Sequence, residues 1–536
     1  MPQHPTVLVR RTVEVRCAHT DKDFPIEPFP LGPIEGLIAP AIPIAVSFVY
    51  RYSGQMEASL FVSTDLLQQA MSCLLNFYPP LSGRLGLLPN GDREINRLNS
   101  GAHFVEATCD LSLRELHEAR TGGGERADAR FQDVLSMFDL PAGSNALFAP
   151  FSPAADRIVN DPLFTIQHTR FACGSVALGV RISHALTDAQ GFFQVVRHLM
   201  ELYGQLRGGE ANPTLQKPPQ WRPYASTFRA EATPAVVAEA LSYQPVAWRV
   251  EEPPTQAKAT EDGTPAVTVP RPPPSPPSLE VVGRELYFSA EQLRELKRRA
   301  TSPDGKGWAS TFEALSAFLW QCVYVARCAV YLRESCTTDD PLRWPIADFL
   351  TSINLRDRFL RAPEGDAADY FPVGCFPIST KMSPRVLRDG PLHQLAAVVH
   401  ALLRASELDP TEVQRTVRWM AAQPDRARIR SHFTQGGFMI SAWNKLDLYG
   451  AAACEGVQPL LVSTPFTCIS LVDTLGYILP YPPAFTDTAA SPAAADAGNV
   501  ERCQSAEGDG VVVYMAVDAL LWDALSSQEL LGKYVH

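Results

Sequence analysis

The sequence predicts an α/β protein built from two domains, and three observations support this prediction. The chain has 536 residues, whereas a single hydrophobic core rarely grows beyond about 250–300 residues. Strand-like and helix-like segments alternate in both halves of the chain, as in α/β proteins. Between the halves, residues 251–278 are rich in proline and polar side chains. That composition favours extended chain and does not build a core.

The first half begins with a strand and a helix. Residues 44–52 are β-branched and aromatic, which predicts a strand. Residues 67–77 carry apolar side chains at helical spacing and precede two prolines, which predicts a helix. Residues 164–183 predict two strands joined by a tight turn, and a helix should run from about residue 189 to Tyr203 and end at Gly204.

The second half repeats this alternation. Residues 284–288 predict a strand, and a helix should follow with Ser289 as its N-cap and Gln292 completing a capping box. A further helix is expected over residues 310–328, and the last strand over residues 511–517.

The proline-rich stretch sets the predicted domain boundaries. Residues 1–230 should form the first domain, residues 231–282 a crossover linker, and residues 283–536 the second domain.

Composition and charge disfavour several classes of protein. The net charge is −11 and lysine and arginine form no dense block, so a nucleic-acid partner is not expected. The eleven cysteines include no Cys-x-x-Cys pair, so we expect no metal site and a reducing, cytoplasmic location. An apolar leader and an uninterrupted run of 18 apolar residues are both missing, so we expect neither a signal peptide nor a membrane span.

His184 and Asp188 form the sharpest chemical motif, His-x-x-x-Asp. His184 follows a strand-like run and precedes a helical one, and strand ends favour active groups because the rigid strand fixes the backbone. A second copy, His19 and Asp23, lies in a polar, proline-flanked stretch, and we interpret it as coincidence. From the pattern alone, a core histidine and a catalytic histidine both remain open for His184.

The sequence around this motif resembles the BAHD acyltransferases, particularly the fungal branch that includes the trichothecene 3-O-acetyltransferases. The resemblance spans residues 44–530 in order. It rests on NFYPPLSGRL (76–85), LFTIQHTRFACGSVALGVRISHALTD (163–188), STFEALSAFLWQCVYVAR (310–327), INLRDRF (353–359) and MISAWNKLDLYGA (439–451).

The resemblance implies two chloramphenicol-acetyltransferase-like domains, each a mixed sheet flanked by helices, with a channel between them. Acyl-CoA is the implied co-substrate and a small molecule with a hydroxyl group the implied acceptor. The family pattern implies no metal, no permanently bound cofactor and no covalent acyl-enzyme. A monomer is expected.

The resemblance also assigns roles within the motif. His184 is the implied general base, because the pKa of histidine lies near working pH. A triad interpretation would make Asp188 orient the imidazole. The family pattern instead pairs this aspartate with an arginine as a structural support, and Arg356 is the candidate partner here, ahead of Arg358.

Four further residues match functional positions of the family. Trp443 and Ser441 are candidates for stabilising the oxyanion and lining the acceptor channel, because an indole N–H or a hydroxyl donates to developing negative charge. Ser310 and Gly456 are candidates for the CoA side of the channel.

One family motif is degraded. Where relatives carry Asp-Phe-Gly-Trp-Gly, this chain has Ala452, Ala453, Cys454, Glu455 and Gly456, so only the last glycine is retained. The change raises the question of how this loop is held in place.

The predicted function is therefore acyl-CoA-dependent O-acyl transfer, most simply from acetyl-CoA to a specialised metabolite such as a glycolipid sugar or a terpenoid. Two alternatives stay open. The degraded loop favours a non-catalytic binding protein on the same scaffold. A condensation-type enzyme using a carrier-protein thioester is the other, although such enzymes carry a second histidine where this chain has Ser183.

Overall fold

The computed structural model describes most of the chain, with gaps. The described residues are 6–19, 28–89, 91–121, 134–220, 232–251, 280–304, 308–331, 344–356, 370–408, 410–434, 436–467, 470–485, 510–527 and 530–532. Asp23, Arg358 and most of the proline-rich stretch lie outside these residues.

Strands and helices alternate along the described chain. The strands are β1 (Val7–Val15), β2 (Phe29–Pro30), β3 (Pro43–Tyr50), β4 (Arg84–Leu87), β5 (Arg93–Asn96), β6 (Ala102–Cys109), β7 (Phe164–Phe171), β8 (Val176–Ser183), β9 (Trp248–Val250), β10 (Val281–Phe288), β11 (Asp348–Asn354), β12 (Cys375–Lys381), β13 (Ile429–Ser431), β14 (Phe438–Ala442), β15 (Leu461–Ser463), β16 (Leu475–Pro480) and β17 (Val511–Asp518). The helices are α1 (Pro33–Gly36), α2 (Thr64–Phe77), α3 (Leu113–Thr121), α4 (Ala155–Asn160), α5 (Ala189–Arg207), α6 (Pro234–Ser242), α7 (Ala290–Ala300), α8 (Thr311–Tyr331), α9 (Pro384–Asp389), α10 (Leu392–Leu408), α11 (Pro410–Ala422), α12 (Leu448–Ala451) and α13 (Ala519–Leu525).

Two mixed six-stranded sheets organise the two halves, which confirms the predicted fold class. The first has the order β1-β6-β7-β8-β3-β15, and the second has the order β10-β17-β16-β14-β11-β12. In the first sheet β6 and β7 run parallel, while β7 and β8 are antiparallel. In the second sheet β14 runs parallel to both β11 and β16.

The first sheet carries an apolar layer on each face. On one face, Val180 and Ile182 of β8 belong to a core that also contains residues of α2 and α5. On the other face, Ala45 and Ala177 pack with Leu113 and neighbouring residues. Because side chains alternate along a strand, even-numbered and odd-numbered residues of β8 face different layers.

Strand β15 joins the two halves. Although it lies far along the chain, it pairs antiparallel with β3 at the edge of the first sheet. The hydroxyl groups of Ser47 and Ser463 are 2.8 Å apart and fully buried. The first sheet is therefore completed by residues from the second half.

The predicted domain boundaries stay predictions, but part of the expected linker is folded. Within residues 231–282, α6 packs against α11, and β9 pairs with β13. These elements attach residues 234–250 to the second half of the chain.

Helix α8 meets the length and hydropathy of a membrane span, and 72% of its most apolar window is buried within the protein. It packs against α7, α10 and α13 in the core of the second half. A buried core helix passes the same test as a membrane span, so length and hydropathy carry little weight here.

Most predicted elements are confirmed, but the predicted end of α5 was wrong. The capping box of Ser289 and Gln292 is present, and β8 ends at Ser183 as expected. Helix α5, however, continues through Gly204 to Arg207 and is capped by Gly208. A glycine inside a helix weakens it without ending it, and packing of the apolar face carries the helix past Gly204.

Substituting Gly204 by alanine should stabilise the protein. A β-carbon at this exposed position would contact nothing within 4 Å, and alanine loses less backbone entropy on folding. We expect the free energy of unfolding to rise by about 0.5–1 kcal/mol, measured by urea denaturation.

Gly191→Ala in the same helix is the matched comparison. There a β-carbon would lie 2.1 Å from Oγ1 of Thr187 and 2.7 Å from the carbonyl oxygen of Phe371. That variant should lose stability, and an equal gain in both variants would contradict the close packing at Gly191.

Candidate active site

The candidate site is the turn between β8 and α5, residues 184–188. The backbone N–H of His184 donates to the carbonyl oxygen of Ile42 at 2.9 Å, and the N–H of Leu186 donates to the carbonyl of Ser183 at 3.0 Å. The turn is thus tied to the residues that precede β3 and to the end of its own strand.

The imidazole of His184 is held in one tautomer. Its Nδ1 lies 2.7 Å from the carbonyl oxygen of Thr187. A carbonyl oxygen only accepts hydrogen bonds, so Nδ1 carries the proton and Nε2 carries the lone pair. Burial lowers the pKa of His184, although hydrogen bonds to backbone carbonyls and the charge of Asp188 act in the opposite direction.

His184 nevertheless retains some solvent-accessible surface. The ring is therefore deep enough for desolvation to disfavour the imidazolium, yet it is not sealed off. A neutral, partly accessible imidazole with a free lone pair on Nε2 is the form that accepts a proton from a hydroxyl group.

Asp188 is the N-cap of α5 and a buried ion-pair partner. Its Oδ1 accepts from the N–H of Gly191 at 3.0 Å, and its Oδ2 accepts from the N–H of Gly374 at 2.8 Å. Arg356 donates to both oxygens, Nη1 to Oδ2 at 2.7 Å and Nη2 to Oδ1 at 2.9 Å. Burial alone would raise the pKa of Asp188, but Arg356 and these N–H groups outweigh burial and lower it.

Arg356 is the largest charged side chain buried in this region, with 1% of its surface exposed. Its Nε donates to the carbonyl of Tyr370 at 2.9 Å, and Nη2 donates to that of Pro372 at 3.2 Å. Burial by itself would lower the pKa of Arg356, but the charge of Asp188 keeps it raised. The arginine thus joins the turn before α5 to the segment that leads into β12.

The structure brings Asp188 and Arg356 together, in the pairing that the family pattern implies. It also places Trp443 beside Ser441, and the indole N–H donates to the serine hydroxyl oxygen at 3.0 Å. Trp443 packs edge-on against Phe193 of α5. The two candidate oxyanion residues therefore form one hydrogen-bonded unit next to the helix that follows the His184 turn.

The degraded loop is a tight hairpin turn. Cys454 and Val457 exchange backbone hydrogen bonds of 2.9 and 2.8 Å. Glu455 and Gly456 between them have φ angles of +55° and +77°, as expected for a turn with two left-handed central residues. The retained glycine therefore occupies a backbone conformation that suits glycine.

Glu455 anchors this turn to the first half of the chain. Its Oε1 accepts from the hydroxyl of Tyr203 at 2.5 Å, from Nη1 of Arg207 at 2.7 Å and from the N–H of Val62 at 3.2 Å. The hydroxyl of Tyr50 donates to the carbonyl of Ala452 at 2.7 Å. These contacts supply a local explanation for how the loop is held without the family's aspartate, and the CoA-side role of Gly456 stays a prediction.

Ser310 is the N-cap of α8. Its hydroxyl accepts from the N–H of Glu313 at 3.2 Å, and its own N–H donates to the Glu313 carboxylate at 2.6 Å. This reciprocal pair is a capping box, so the serine has a structural task, and its predicted place on the CoA side remains untested. Within the described ranges, no group of three His, Cys, Asp or Glu residues is placed to hold a metal ion.

Sequence reasoning missed Glu35, a buried carboxyl group close to the Asp188–Arg356 pair. Glu35 is 1% exposed, and its Oε2 has no hydrogen-bond partner among the described residues. The pKa of Glu35 is raised to about 7, mainly because the carboxyl group is buried; N–H donors of Glu35 and Gly32 oppose this shift, and the charge of Asp188 adds to it. The sequence did not indicate this burial, because α1 has only four residues and is too short to show a periodic pattern of apolar side chains.

A family model described as the Transferase family matches residues 18–452. The chain belongs to this family, the BAHD acyltransferases. The matched segment contains the His184 turn, Arg356 and the Trp443–Ser441 unit.

Two curated relatives share only 25% and 33% sequence identity with this chain, over parts of its length. The chain is similar to alcohol acyltransferase 16 of Actinidia chinensis var. chinensis, with 25% identity over 281 residues, covering 52% of this chain and 50% of that protein. It is similar to taxadien-5-alpha-ol O-acetyltransferase of Taxus chinensis, with 33% identity over 144 residues, covering 26% of this chain and 28% of that protein. The chain thus spans about half the length, or less, of these curated relatives.

Structural similarity covers more of the chain than sequence similarity does. F. graminearum TRI101, in a crystal structure with coenzyme A and T-2 mycotoxin, superposes with a TM-score of 0.61 at 15% identity, covering 95% of this chain and 99% of that chain. At this identity the likeness establishes the BAHD fold alone.

Removing the charge of Arg356 should strongly destabilise the protein. Arg356→Met would leave the Asp188 carboxylate buried without its counter-ion, and breaking a buried pair in this way costs about 3–5 kcal/mol. Urea denaturation measures the loss. Arg298→Met, which breaks an exposed pair with Glu295, is the control and should leave stability almost unchanged. Similar effects in both variants would contradict the role of the buried pair.

Glu35 should make stability depend on pH in the neutral range. Its pKa rises from the ordinary value of 4.5 to about 7 on folding. Its contribution to stability is therefore fully present below pH 4.5 and is lost as the pH rises through 7. Because glutamine does not ionise, the stability of Glu35→Gln relative to wild type should increase between about pH 5 and about pH 8.

Urea denaturation at both pH values measures this difference. Glu291→Gln on the exposed face of α7 is the matched control. A relative stability of Glu35→Gln that does not change with pH would contradict ionisation of Glu35 in this range.

Proposed function

We propose that this protein transfers an acyl group from acyl-CoA, most simply acetyl-CoA, to a hydroxyl group of a small molecule. The observation that carries the proposal is the 2.7 Å contact between Nδ1 of His184 and the carbonyl oxygen of Thr187, which assigns the proton to Nδ1 and leaves the lone pair on Nε2. Membership of the family supports it, as do relatives named as alcohol acyltransferases and acetyltransferases and a solved neighbour that contains coenzyme A.

His184 acts as the general base in this proposal. Nε2 takes the proton of the acceptor hydroxyl while its oxygen attacks the thioester carbonyl carbon, giving a tetrahedral intermediate with a negatively charged oxygen. Collapse of this intermediate breaks the carbon–sulfur bond, and the imidazolium returns its proton to the departing CoA thiolate. The lowered pKa of His184 keeps the base unprotonated at neutral pH.

Asp188 supports the turn rather than acting as the third member of a triad. In a triad, the carboxylate would accept a hydrogen bond from Nδ1, but here Nδ1 donates to the Thr187 carbonyl. The Asp188 oxygens already accept four hydrogen bonds, two from Arg356 and one each from Gly191 and Gly374.

Ser441 is the proposed oxyanion donor, with Trp443 positioning it. Because the indole N–H of Trp443 donates to the oxygen of Ser441, the serine is free to aim its own O–H elsewhere. Ser441 retains some exposed surface whereas Trp443 is buried. A hydroxyl fixed in this way stabilises developing negative charge at little cost in reorganisation.

For the acceptor, we propose a specialised metabolite, with a terpenoid ahead of a glycolipid sugar. The name of the Taxus relative, which specifies a taxadienol, supports the terpenoid. We further propose a cytoplasmic location, supported by the free thiols of the eight described cysteines. The monomeric state stays a prediction.

Replacing His184 should remove most of the activity without unfolding the protein. Acceptor-dependent release of CoA, followed with a thiol reagent over an extract of candidate hydroxyl compounds, should fall by about 10²–10⁴-fold in His184→Ala. His19→Ala is the matched control, because His19 belongs to the other His-x-x-x-Asp copy and is exposed. Release of CoA that persists in His184→Ala at an unchanged melting temperature would rule out His184 as the base.

Replacing Ser441 should slow the chemical step. Ser441→Ala is expected to lower kcat by about 10²–10³-fold with KM nearly unchanged, because the donor acts on the transition state. Trp443→Phe retains the ring and removes only the N–H, so it should lower kcat by less. Ser59→Ala, at an exposed position, is the control. A rise in KM alone would show that Ser441 binds substrate and does not stabilise the oxyanion.

A further inference from the structure

A row of polar side chains crosses the second sheet, starting at the proposed oxyanion donor. Ser441 of β14 pairs with Tyr477 of β16. Tyr477 in turn pairs with Tyr514 of β17, and Tyr514 pairs with Glu285 of β10. Directly opposed residues on neighbouring strands point to the same face of a sheet. Three hydroxyl groups and one carboxyl group therefore lie side by side on one face.

This face of the second sheet packs against the first half of the chain. Tyr514 belongs to the core that contains Ile182 of β8 and Phe193 of α5. Ile478, which alternates with Tyr477 along β16, belongs instead to the core around α8. The polar row therefore faces the part of the first half that carries the His184 turn.

The carboxyl end of the row is fully paired. Glu285 is 2% exposed. Its Oε2 accepts from the hydroxyl of Ser136 at 2.6 Å and from that of Tyr287 at 2.9 Å. Its Oε1 accepts from the N–H of Met137 at 3.2 Å. Because Ser136 and Met137 belong to the first half, this end of the row is committed to joining the two halves.

The hydroxyl of Tyr477, near the other end of the row, is not paired. It makes no hydrogen bond within the described residues, and these residues do not seal it from solvent. The side chain as a whole retains some exposed surface, as does that of Ser441. Burial raises the pKa of Tyr477 to about 12, so the phenol keeps its proton at neutral pH and remains a hydrogen-bond donor.

The ring of Tyr477 is fixed although its hydroxyl is not. Its centroid lies 5.3 Å from that of Trp443 in an edge-on contact. The same indole ring packs edge-on against Phe193 of α5 at 6.1 Å and donates its N–H to Ser441. Tyr477 is thus held beside the Ser441–Trp443 unit by its ring alone, which leaves the O–H available to a ligand.

The surroundings of Tyr477 determine the kind of ligand. Leu479, Val512 and Trp443 supply apolar surface on the same face of the sheet, and Ser441 and Tyr477 are uncharged donors at neutral pH. Ligand sites typically combine an apolar wall with a few polar groups that fix orientation. A neutral oxygen atom on an apolar molecule suits this arrangement. Neighbouring strands lie about 4.8 Å apart, so Tyr477 and Ser441 can bind different oxygen atoms.

We propose that Tyr477 donates a hydrogen bond to a second oxygen atom of the acceptor, while Ser441 acts on the thioester oxygen. The preferred acceptor is then an apolar molecule that carries a hydroxyl or carbonyl group besides the hydroxyl group that is acylated. This role rests on the proposed acyl transfer and specifies its acceptor class, which an oxygenated terpenoid fits better than a simple alcohol.

Acyl transfer from acetyl-CoA to 1-octanol and to a set of octanediols tests the role of Tyr477. The second hydroxyl of the diols is placed at carbon 3, 4, 5 or 8, and CoA release gives kcat/KM for each alcohol. For at least one diol, Tyr477→Phe should lower kcat/KM about three- to tenfold, because one hydrogen bond is lost. The loss should appear in the KM of the diol, with 1-octanol and the KM of acetyl-CoA unaffected.

Tyr324→Phe is the matched control, because it removes a buried hydroxyl from α8 in the core on the other face of the sheet. It should leave the kcat/KM of every alcohol unchanged, and melting temperatures establish that both variants are folded. The proposal is overturned if the ratio of kcat/KM between each diol and 1-octanol is the same in Tyr477→Phe and in wild type. An equal loss with all alcohols is such a result and would show that Tyr477 acts on the reaction itself.

A wild-type protein that releases no CoA with any alcohol would contradict the proposed acyl transfer. Calorimetric titration then tests Tyr477 separately, because binding of an octanediol requires no acyl group. The diol that binds wild type most tightly should bind Tyr477→Phe about three- to tenfold more weakly, and 1-octanol should bind both proteins equally. Equal diol affinities in the two proteins, or no diol binding to wild type, would overturn the proposal.

Discussion

The ion pair between Asp188 and Arg356 is the interaction on which the candidate site depends. Asp188 caps α5, and Arg356 lies two residues after the end of strand β11 of the second sheet. The pair is buried, so its desolvation is offset only by a complete set of donors, and the structure provides that set from Arg356, Gly191 and Gly374. The orientation of His184, four residues before Asp188, therefore requires that both halves of the chain are assembled.

Helix α5 is held at its other end by the loop that has lost the family motif. Tyr203 and Arg207, near the end of the helix, both donate to Glu455. Helix α5 is thus attached to the second half of the chain at both ends. Asp188, which matches the family pattern, binds Arg356 at the start of the helix, and Glu455, which does not match it, binds Tyr203 and Arg207 near the end. This arrangement weighs against the binding-protein alternative, because the altered loop is anchored and the His184 turn is intact.

The sequence predicted features that depend on local pattern. The strand before His184, the helix after it and the capping box at Ser289 follow from periodicity and cap chemistry, and the family resemblance implied the partner of Asp188. The end of α5 was wrong because packing carried the helix through Gly204. The pairing of β15 with β3 and the burial of Glu35 depend on contacts between distant segments, which no local pattern encodes. The domain boundaries and the site roles stay predictions.

The pairing of β15 with β3 has a consequence for the order in which the chain folds during synthesis. Domains generally fold from the N-terminus as they leave the ribosome, but here the edge of the first sheet waits for residues 461–463. Until then β3 presents an unpaired edge, which is a hazard for association with other chains. During synthesis, this edge of the first sheet therefore stays uncovered until most of the chain has been made.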